Sequence, residues 1–233
     1  MPEIESIDWQ TFLQRFNWRQ GEHVAAIAAT GMGKTTLLAE LLPLRKFNLF
    51  FGTKLDDPLY RQIIRSHGFV RLEDVSEIRR YHERILLWPR AAKKIPATYQ
   101  RQKQVFTDAL DMVANEGGWS VWLDECKYLA EQLGLTKRLT YCLEQLRSVN
   151  GTIISGAQRP VWLPRSVLSN ATHVFLWRSN SREDAGRLAD IGGVDARIVS
   201  REAKQLAPHE FIYVNARTGT LFKSQVKKVN RVA

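Results

Sequence analysis

The stretch AIAATGMGKTTLL, Ala26 to Leu38, decides the fold of this protein. Its second half, Gly33-Lys34-Thr35, completes the pattern G-x-x-x-x-G-K-[ST], in which backbone N–H groups surround a β-phosphate, a lysine reaches the β/γ oxygens and a hydroxyl binds Mg²⁺. Ala28 stands at the first glycine of that pattern and loses the freedom of positive φ, but it adds little bulk beside the phosphates. Gly31 remains for the close approach of the backbone, so the stretch predicts a phosphate-binding loop.

The residues on either side of the loop support this interpretation. Residues 22–29 have the apolar composition of a buried strand, and residues 35–42 have the pattern of a helix. The alternative is a turn that binds nothing, but the helix dipole disfavours a lysine at a helix start unless an anion lies opposite it. We expect ATP and Mg²⁺ here, with the nucleotide contacted by Thr30, Gly31, Met32, Gly33, Lys34, Thr35 and Thr36.

The composition is that of an ordinary globular protein with a bias toward polyanions. The 233 residues are 44% hydrophobic and 25% charged, with a formal net charge of +10. Cys126 and Cys142 lack the spacing of metal ligands or of a redox motif, which favours free thiols in a reducing compartment. Because no apolar run reaches the length of a membrane span and the N-terminus does not resemble a signal peptide, we expect a cytoplasmic protein without a transmembrane segment.

Apolar segments recur along the chain as expected for an α/β domain. Besides the loop region, the pattern predicts strands at 47–51, 84–89, 119–123, 151–156 and 172–177, helices at 9–19, 105–113 and 129–149, and a terminal hairpin at 210–214 and 220–223. Alternating strands and helices favour a mostly parallel central sheet flanked by helices. No linker or repeat is visible, so we expect one domain over 1–233, with an N-terminal helical extension at 1–20 and a basic tail at 224–233.

A second motif, SVWLDEC from Ser120 to Cys126, is an apolar strand that ends in two acids. P-loop enzymes use such a strand to bring a carboxylate to the hydration shell of Mg²⁺, so Asp124 is predicted to hold the metal through water together with Thr35. Glu125 follows and is suited to orient or deprotonate an attacking water. A solvated turn is the alternative.

A third motif is the strand that ends at Gln158. An amide at this position could hydrogen-bond both a γ-phosphate oxygen and the attacking water. The alternative is a side chain that caps the strand end.

Together these motifs resemble the FtsK/HerA superfamily of DNA-pumping ATPases. The resemblance rests on the ending T-G-M-G-K-T-T of the loop, the Asp124-Glu125 pair and the run Gln158-Arg159-Pro160, and it covers residues 21–193. It departs from the family at two positions. Ala28 replaces the usual first glycine, and Ala157 stands where threonine is common. The resemblance implies a RecA-like P-loop core and, for a motor domain of this size, is nearest to the genome-packaging ATPases of tailless, internal-membrane viruses and phages.

The resemblance also implies an assembly and partners. The family works as a ring, commonly a hexamer, in which a neighbouring subunit supplies an arginine to the ATP site. Arg147 matches a recurrent family arginine and is the first candidate for this arginine finger, and Arg178 is the second. The ring would pump double-stranded DNA and dock on a capsid vertex or a membrane protein, in the host cytoplasm or on the virion. Candidate DNA contacts are Lys93, Lys94, Arg101 and Lys103, for which a solvated loop is the alternative.

Four other functions remain open from the sequence. A conjugative or chromosomal DNA pump would have the same motifs, as would an ATPase that assembles or extrudes a virion or filament. A small-molecule kinase would need an acceptor pocket and a lid that bears arginine. A scaffold that binds nucleotide without hydrolysis is disfavoured by the paired acids Asp124 and Glu125.

Overall fold

The computed structural model of the protein describes residues 4–226 as an α/β domain built on a ten-stranded sheet. The strands are β1 (Glu5–Ser6), β2 (His23–Ile27), β3 (Asn48–Phe51), β4 (Val70–Leu72), β5 (Arg84–Leu87), β6 (Ser120–Leu123), β7 (Thr152–Ala157), β8 (Ala171–Leu176), β9 (Glu210–Asn215) and β10 (Thr220–Gln225). The helices are α1 (Trp9–Arg15), α2 (Lys34–Leu41), α3 (Pro58–His67), α4 (Ile95–Glu116), α5 (Thr136–Gln145), α6 (Arg165–Asn170), α7 (Arg182–Leu188) and α8 (Ala196–Gln205).

The strand order of the sheet is β1-β10-β9-β8-β2-β7-β6-β3-β5-β4. The seven strands from β8 to β4 run parallel, whereas β9 is antiparallel to both of its neighbours and forms the predicted terminal hairpin with β10. The prediction of a mostly parallel sheet with a C-terminal hairpin is therefore confirmed. Since β7 lies between β2 and β6, the carboxyl ends of these three strands meet at one edge of the sheet.

Helices cover both faces of the sheet, and the sheet residues alternate between two hydrophobic clusters. Ala25 and Ile27 face the cluster formed with α4, α5, α6 and α8, whereas Val24 and Ala26 face the cluster formed with α1, α2 and α3. β2 is buried at every position. Because a strand that is covered on both faces needs apolar residues at nearly all positions, its sequence is an almost continuous apolar run.

Capping residues define the limits of the helices beside the sheet edge. α3 begins after Asp57, whose side chain accepts a 2.8 Å hydrogen bond from the Leu59 backbone, and Pro58 occupies its first position. It ends at Gly68 in the left-handed conformation. These signals place a complete helix in a segment for which no helix was predicted.

Two predicted helices differ from those in the structure. The helix predicted at 105–113 starts ten residues earlier, at Ile95, so that Arg101 and Lys103 lie in α4 rather than in a loop. The helical segment predicted at 129–149 is interrupted, because Gly134 adopts a left-handed conformation with φ +66° between a π-helical turn and α5. Glycine interrupts helices at such a conformation at little steric cost.

The N-terminal segment packs against the sheet. Phe12 on α1 is fully buried and contacts the aromatic rings of Phe175, Phe211 and Tyr213 with centroid distances of 5.9, 5.4 and 5.3 Å. The predicted helix is present, and the extension also contributes β1, which pairs with β10. Of the predicted basic tail, the first two residues end β10, and residues 227–233 lie outside the described residues.

Both cysteines lie in the hydrophobic core as free thiols. Burial raises the pKa of Cys126 to about 12 and that of Cys142 to about 11, so neither is a reactive thiolate near neutral pH.

Within residues 4–226 we find no helix with the length and apolar character needed to cross a bilayer.

His23 is a buried base whose two ring nitrogens are both used by the neutral form. Its Nδ1 accepts a 3.0 Å hydrogen bond from the Ile153 N–H, and its Nε2–H donates to the Leu143 carbonyl at 2.9 Å. A second proton on Nδ1 would face the Ile153 N–H. Burial is the main reason why the pKa of His23 falls from 6.5 to about 4.

We predict that the free energy of unfolding falls as the pH drops from 6.5 toward 4. The unfolded chain binds the His23 proton in this window and the folded chain does not, so His23 contributes stability above pH 6.5 that is lost toward pH 4, on the order of 3 kcal/mol. Urea denaturation across this window measures the slope. His23→Gln should flatten this slope; equal slopes in the wild type and His23→Gln would contradict the assignment.

Candidate active site

The phosphate loop follows β2 at the edge where β2, β7 and β6 end. Ala28 continues the strand, because its N–H donates to the Ala157 carbonyl at 3.0 Å and its side chain is buried. The loop then turns at Gly31 and Gly33, whose φ angles are +81° and +105°. The left-handed conformations fall on the two glycines that are retained and not on Ala28, so alanine fits there without strain.

Gly33 caps α2, and the loop presents the start of this helix to solvent. The first turn of α2 contains no acidic residue, and Thr35 is exposed. The unpaired N–H groups and the positive end of the helix dipole attract anions at such a position. Nothing lies within 4 Å of the place where a side chain on Gly31 would begin. The geometry therefore provides an open cradle that fits a phosphate group.

Lys34 and Asp124 meet at the centre of the site. The Lys34 Nζ donates to the Asp124 carboxylate and, at 3.2 Å, to the Asp124 carbonyl. Their side chains are only 11% and 5% exposed, so the two charges depend on each other. The structure thus brings together the loop lysine and the first acid of the DE pair, although β7 separates their strands.

Gly156 on β7 makes this contact possible. A Cβ atom at this position would lie 2.8 Å from the Asp124 carbonyl oxygen and 3.1 Å from the Lys34 Nζ. Real Cβ contacts are longer, so any side chain would force β7 away from the ion pair. The apolar pattern predicts a strand at Gly156 but no role for this residue. The available signal was a glycine in an otherwise apolar strand, which marks a close backbone approach.

Lys54 is a second cation of the site that the sequence analysis missed. It follows β3, and its Nζ lies 2.7 Å from Asp57, 3.3 Å from Glu125 and 3.7 Å from the second Asp124 oxygen. Burial alone would lower the pKa of Lys54, but the hydrogen bond to Asp57 and the charges of Asp124 and Glu125 outweigh it and raise the pKa above its usual value. The available signal was a lysine in the polar turn after a buried strand.

The other predicted catalytic groups lie along the same edge. Glu125 follows Asp124 at the end of β6 and is 27% exposed, so solvent reaches its carboxylate. Gln158 follows β7, between the ends of β2 and β6, and is half-buried. The next residue, Arg159, bonds Ser181 and Asp184 at the start of α7. The run Gln158-Arg159-Pro160 therefore connects this edge to α7.

The two candidate arginine fingers lie at opposite ends of the parallel strands, Arg147 at the amino ends and Arg178 at the carboxyl ends. Both are exposed. Arg147 precedes β7, and its guanidinium donates to the Thr172 hydroxyl at 3.2 Å near the amino ends of the parallel strands. It is remote from the phosphate loop of its own subunit. Arg178 follows β8 at the carboxyl edge, next to β2.

The four predicted DNA contacts are all exposed, and they lie on or before α4. Lys93 and Lys94 belong to the loop between β5 and α4, whereas Arg101 and Lys103 lie on the first turns of the helix. Arg101 is paired with Glu73 at 3.3 Å. The basic run is therefore part loop and part helix.

Comparison with known proteins gives matches to solved structures only. No protein-family model matches the sequence, and no curated protein matches it. The genome packaging NTPase B204 from Sulfolobus turreted icosahedral virus 2, solved with ATP-γS, matches with a TM-score of 0.61 at 12% identity over 87% of this chain and 95% of that chain.

Two further solved structures have a similar fold. VirB4 of Thermoanaerobacter pseudethanolicus matches with a TM-score of 0.65 at 10% identity, over 89% of this chain and 90% of that chain. The pCW3 conjugation coupling protein TcpA, solved with ATPγS, matches with a TM-score of 0.50 at 12% identity, over 88% of this chain and 60% of that chain. The predicted α/β fold is thus confirmed: this chain has the fold of B204 and VirB4.

Proposed function

We propose that this protein is an ATPase that translocates double-stranded DNA and packages a viral genome into a preformed capsid. The observation that carries the proposal is the buried contact between Lys34 and Asp124 beside an open phosphate cradle, with Glu125 next to it. The likeness of fold to a viral genome packaging NTPase over nearly its whole length supports the choice of process.

The nucleotide would be ATP, held by the loop from Thr30 to Thr36. The N–H groups of the loop and of the first turn of α2 would bind its phosphates, and Lys34 would neutralise their charge. Mg²⁺ would be held by the Thr35 hydroxyl and, through water, by Asp124. When bound, the metal supplies positive charge to the phosphate oxygens.

Glu125 and Gln158 are proposed to act on the attacking water. Glu125 is solvent-accessible and would take the proton of this water, while the Gln158 amide would orient it by hydrogen bonding. The Lys54 Nζ lies 3.3 Å from the Glu125 carboxylate and would hold it in place at the end of β6. Lys54 is thus a positioning residue for Glu125.

We propose a ring, commonly a hexamer in this kind of ATPase, in which Arg147 reaches the ATP site of the neighbouring subunit. Its exposure and its distance from its own phosphate loop support a role in trans, and Arg178 is the second candidate. The ring would grip DNA phosphates through exposed cations and would dock on a capsid-vertex or membrane protein, in the host cytoplasm or on the virion.

Conjugative DNA transfer is the second candidate function. It is favoured by the likeness of fold to the conjugation coupling protein TcpA. A neighbouring gene for a double-jelly-roll capsid protein would favour packaging, whereas a relaxase gene would favour transfer.

We predict that long double-stranded DNA stimulates ATP hydrolysis by the wild type, and that Glu125→Gln lowers the rate on the order of a hundredfold, because the amide cannot accept the proton. Steady-state phosphate release with and without DNA measures both effects. Glu131→Gln, which removes an exposed acid of the same type, is the matched control. Equal turnover in the wild type and Glu125→Gln, without an effect of DNA, would contradict both the mechanism and the motor function.

We predict that Gly156→Ala weakens the binding of an ATP analogue roughly tenfold or more, since overpacking between strands costs about 1–3 kcal/mol and falls on the Lys34 contact. Equilibrium binding of a fluorescent ATP analogue measures the loss. Gly186→Ala, a glycine with nothing within 4 Å of its missing side chain, should bind as the wild type does. Wild-type affinity in Gly156→Ala would show that the close approach is not required.

We predict that mixing two inactive variants restores part of the ATPase activity. Arg147→Ala keeps its own phosphate loop, and Lys34→Ala keeps its arginine, so a mixed ring would contain complete sites at some interfaces. Each variant alone should lose on the order of a thousandfold in rate. The assay is repeated with Arg178→Ala in place of Arg147→Ala; complementation by that variant alone would assign the finger to Arg178.

A further inference from the structure

Glu73 is a single carboxylate on which three arginines converge. Arg101 lies 3.3 Å from one of its oxygens, and Arg90 and Arg71 lie 3.5 and 3.7 Å from the other. Three guanidinium groups and one carboxylate leave a net charge of +2. Arginine binds phosphate oxygens through its planar array of donors, so the arrangement has the chemistry of a phosphate site with a carboxylate in it.

Two of the three arginines, Arg71 and Arg90, line a cleft beside the candidate active site. The cleft has a volume of about 250 Å³, and its polar lining includes Lys54, Arg71, Arg90 and Gln102. Arg90 is 76% exposed, and Arg71 and Arg101 are each exposed by more than two fifths, whereas Glu73 is only 28% exposed. The three guanidinium groups are therefore more accessible to an external anion than the Glu73 carboxylate is.

The floor of the cleft is held rigidly. Trp88 donates its indole N–H to the Lys54 carbonyl at 2.8 Å, and the Arg71 guanidinium lies over the Trp88 ring at 4.4 Å. Gln102 donates to the Thr53 carbonyl at 3.2 Å. Side chains fixed in this way lose less conformational entropy when a ligand binds, which favours a binding site over a chance cluster of charges.

We propose that this cleft binds a backbone phosphate of double-stranded DNA, and that Glu73 occupies the place of the phosphate when DNA is absent. The inference rests on the proposed DNA-translocating function. The cations continue beyond the cleft, because Arg90 lies in the loop that also contains Lys93 and Lys94. An open line of cations suits a polyanion better than a small free anion.

The test is a titration of fluorescent double-stranded DNA at several salt concentrations. Glu73→Gln keeps the shape of the side chain but releases the arginines, so it should bind DNA several-fold more tightly, with the slope of log K against log salt steeper by about 0.9. Arg90→Ala should bind more weakly with a shallower slope, and adding it to Glu73→Gln should remove part of the gain. Thermal unfolding of each variant shows that it is folded.

Glu5→Gln is the matched control. It makes the same change in net charge and also releases an exposed arginine, Arg15, but it lies on β1 at the opposite end of the sheet from β4. If Glu73→Gln and Glu5→Gln alter DNA affinity equally, the effect is one of net charge and the proposed site is overturned.

Two further outcomes separate this inference from the proposed function. If the wild type binds DNA and its ATPase is stimulated, but Glu73→Gln binds DNA as the wild type does, only the phosphate cleft is overturned. If the wild type binds no DNA, the DNA-translocating function and the cleft both fall. Saturable binding of inorganic phosphate by Glu73→Gln without a gain in DNA affinity would assign the cleft to a free anion and overturn the DNA assignment.

Discussion

The buried ion pair between Lys34 and Asp124 is the constraint on which the rest of the site depends. A buried lysine or aspartate without its partner would cost several kcal/mol, so the phosphate loop and the end of β6 must stay together. Their strands are not neighbours, and β7 passes between them. Only a residue without a side chain can occupy position 156 under this contact, so the charge pair fixes a glycine in a strand where apolar residues are otherwise preferred.

The same pair organises the charges around it. Asp124 lies between two lysines, and the second of these, Lys54, also contacts Asp57 and Glu125. The two lysines therefore balance much of the negative charge of three carboxylates at one sheet edge. The turn that contains Lys54 is held by Trp88 and Gln102, which also line the cleft that contains Arg71 and Arg90. The candidate ATP site and the candidate DNA site thus share a rigid segment, which gives a physical route for coupling between them.

The fold has solved counterparts at identities of 10–14%, although no family model matches the sequence. The fold of this chain requires buried strands in a fixed order and a loop after β2 with two left-handed residues. Both requirements accept many sequences: buried strands need apolar residues of suitable volume, and the loop needs glycine only where φ is positive. Ala28 illustrates this tolerance, because the position continues the strand and makes no demand for glycine.

The sequence by itself determined the class of fold, the phosphate loop, the acids at the end of β6 and the terminal hairpin, because each depends on local pattern: apolar runs, turn residues and a short motif. It did not determine the start of α4, the helix α3 or the interruption at Gly134, since packing and local capping outweigh the apolar pattern there. Only the tertiary structure placed Lys54 and Gly156 beside Asp124 and gathered three arginines around Glu73, because most of these contacts join distant parts of the chain. These residues lie far from one another in the chain, and the strand order that brings them together is set by the packing of the whole sheet.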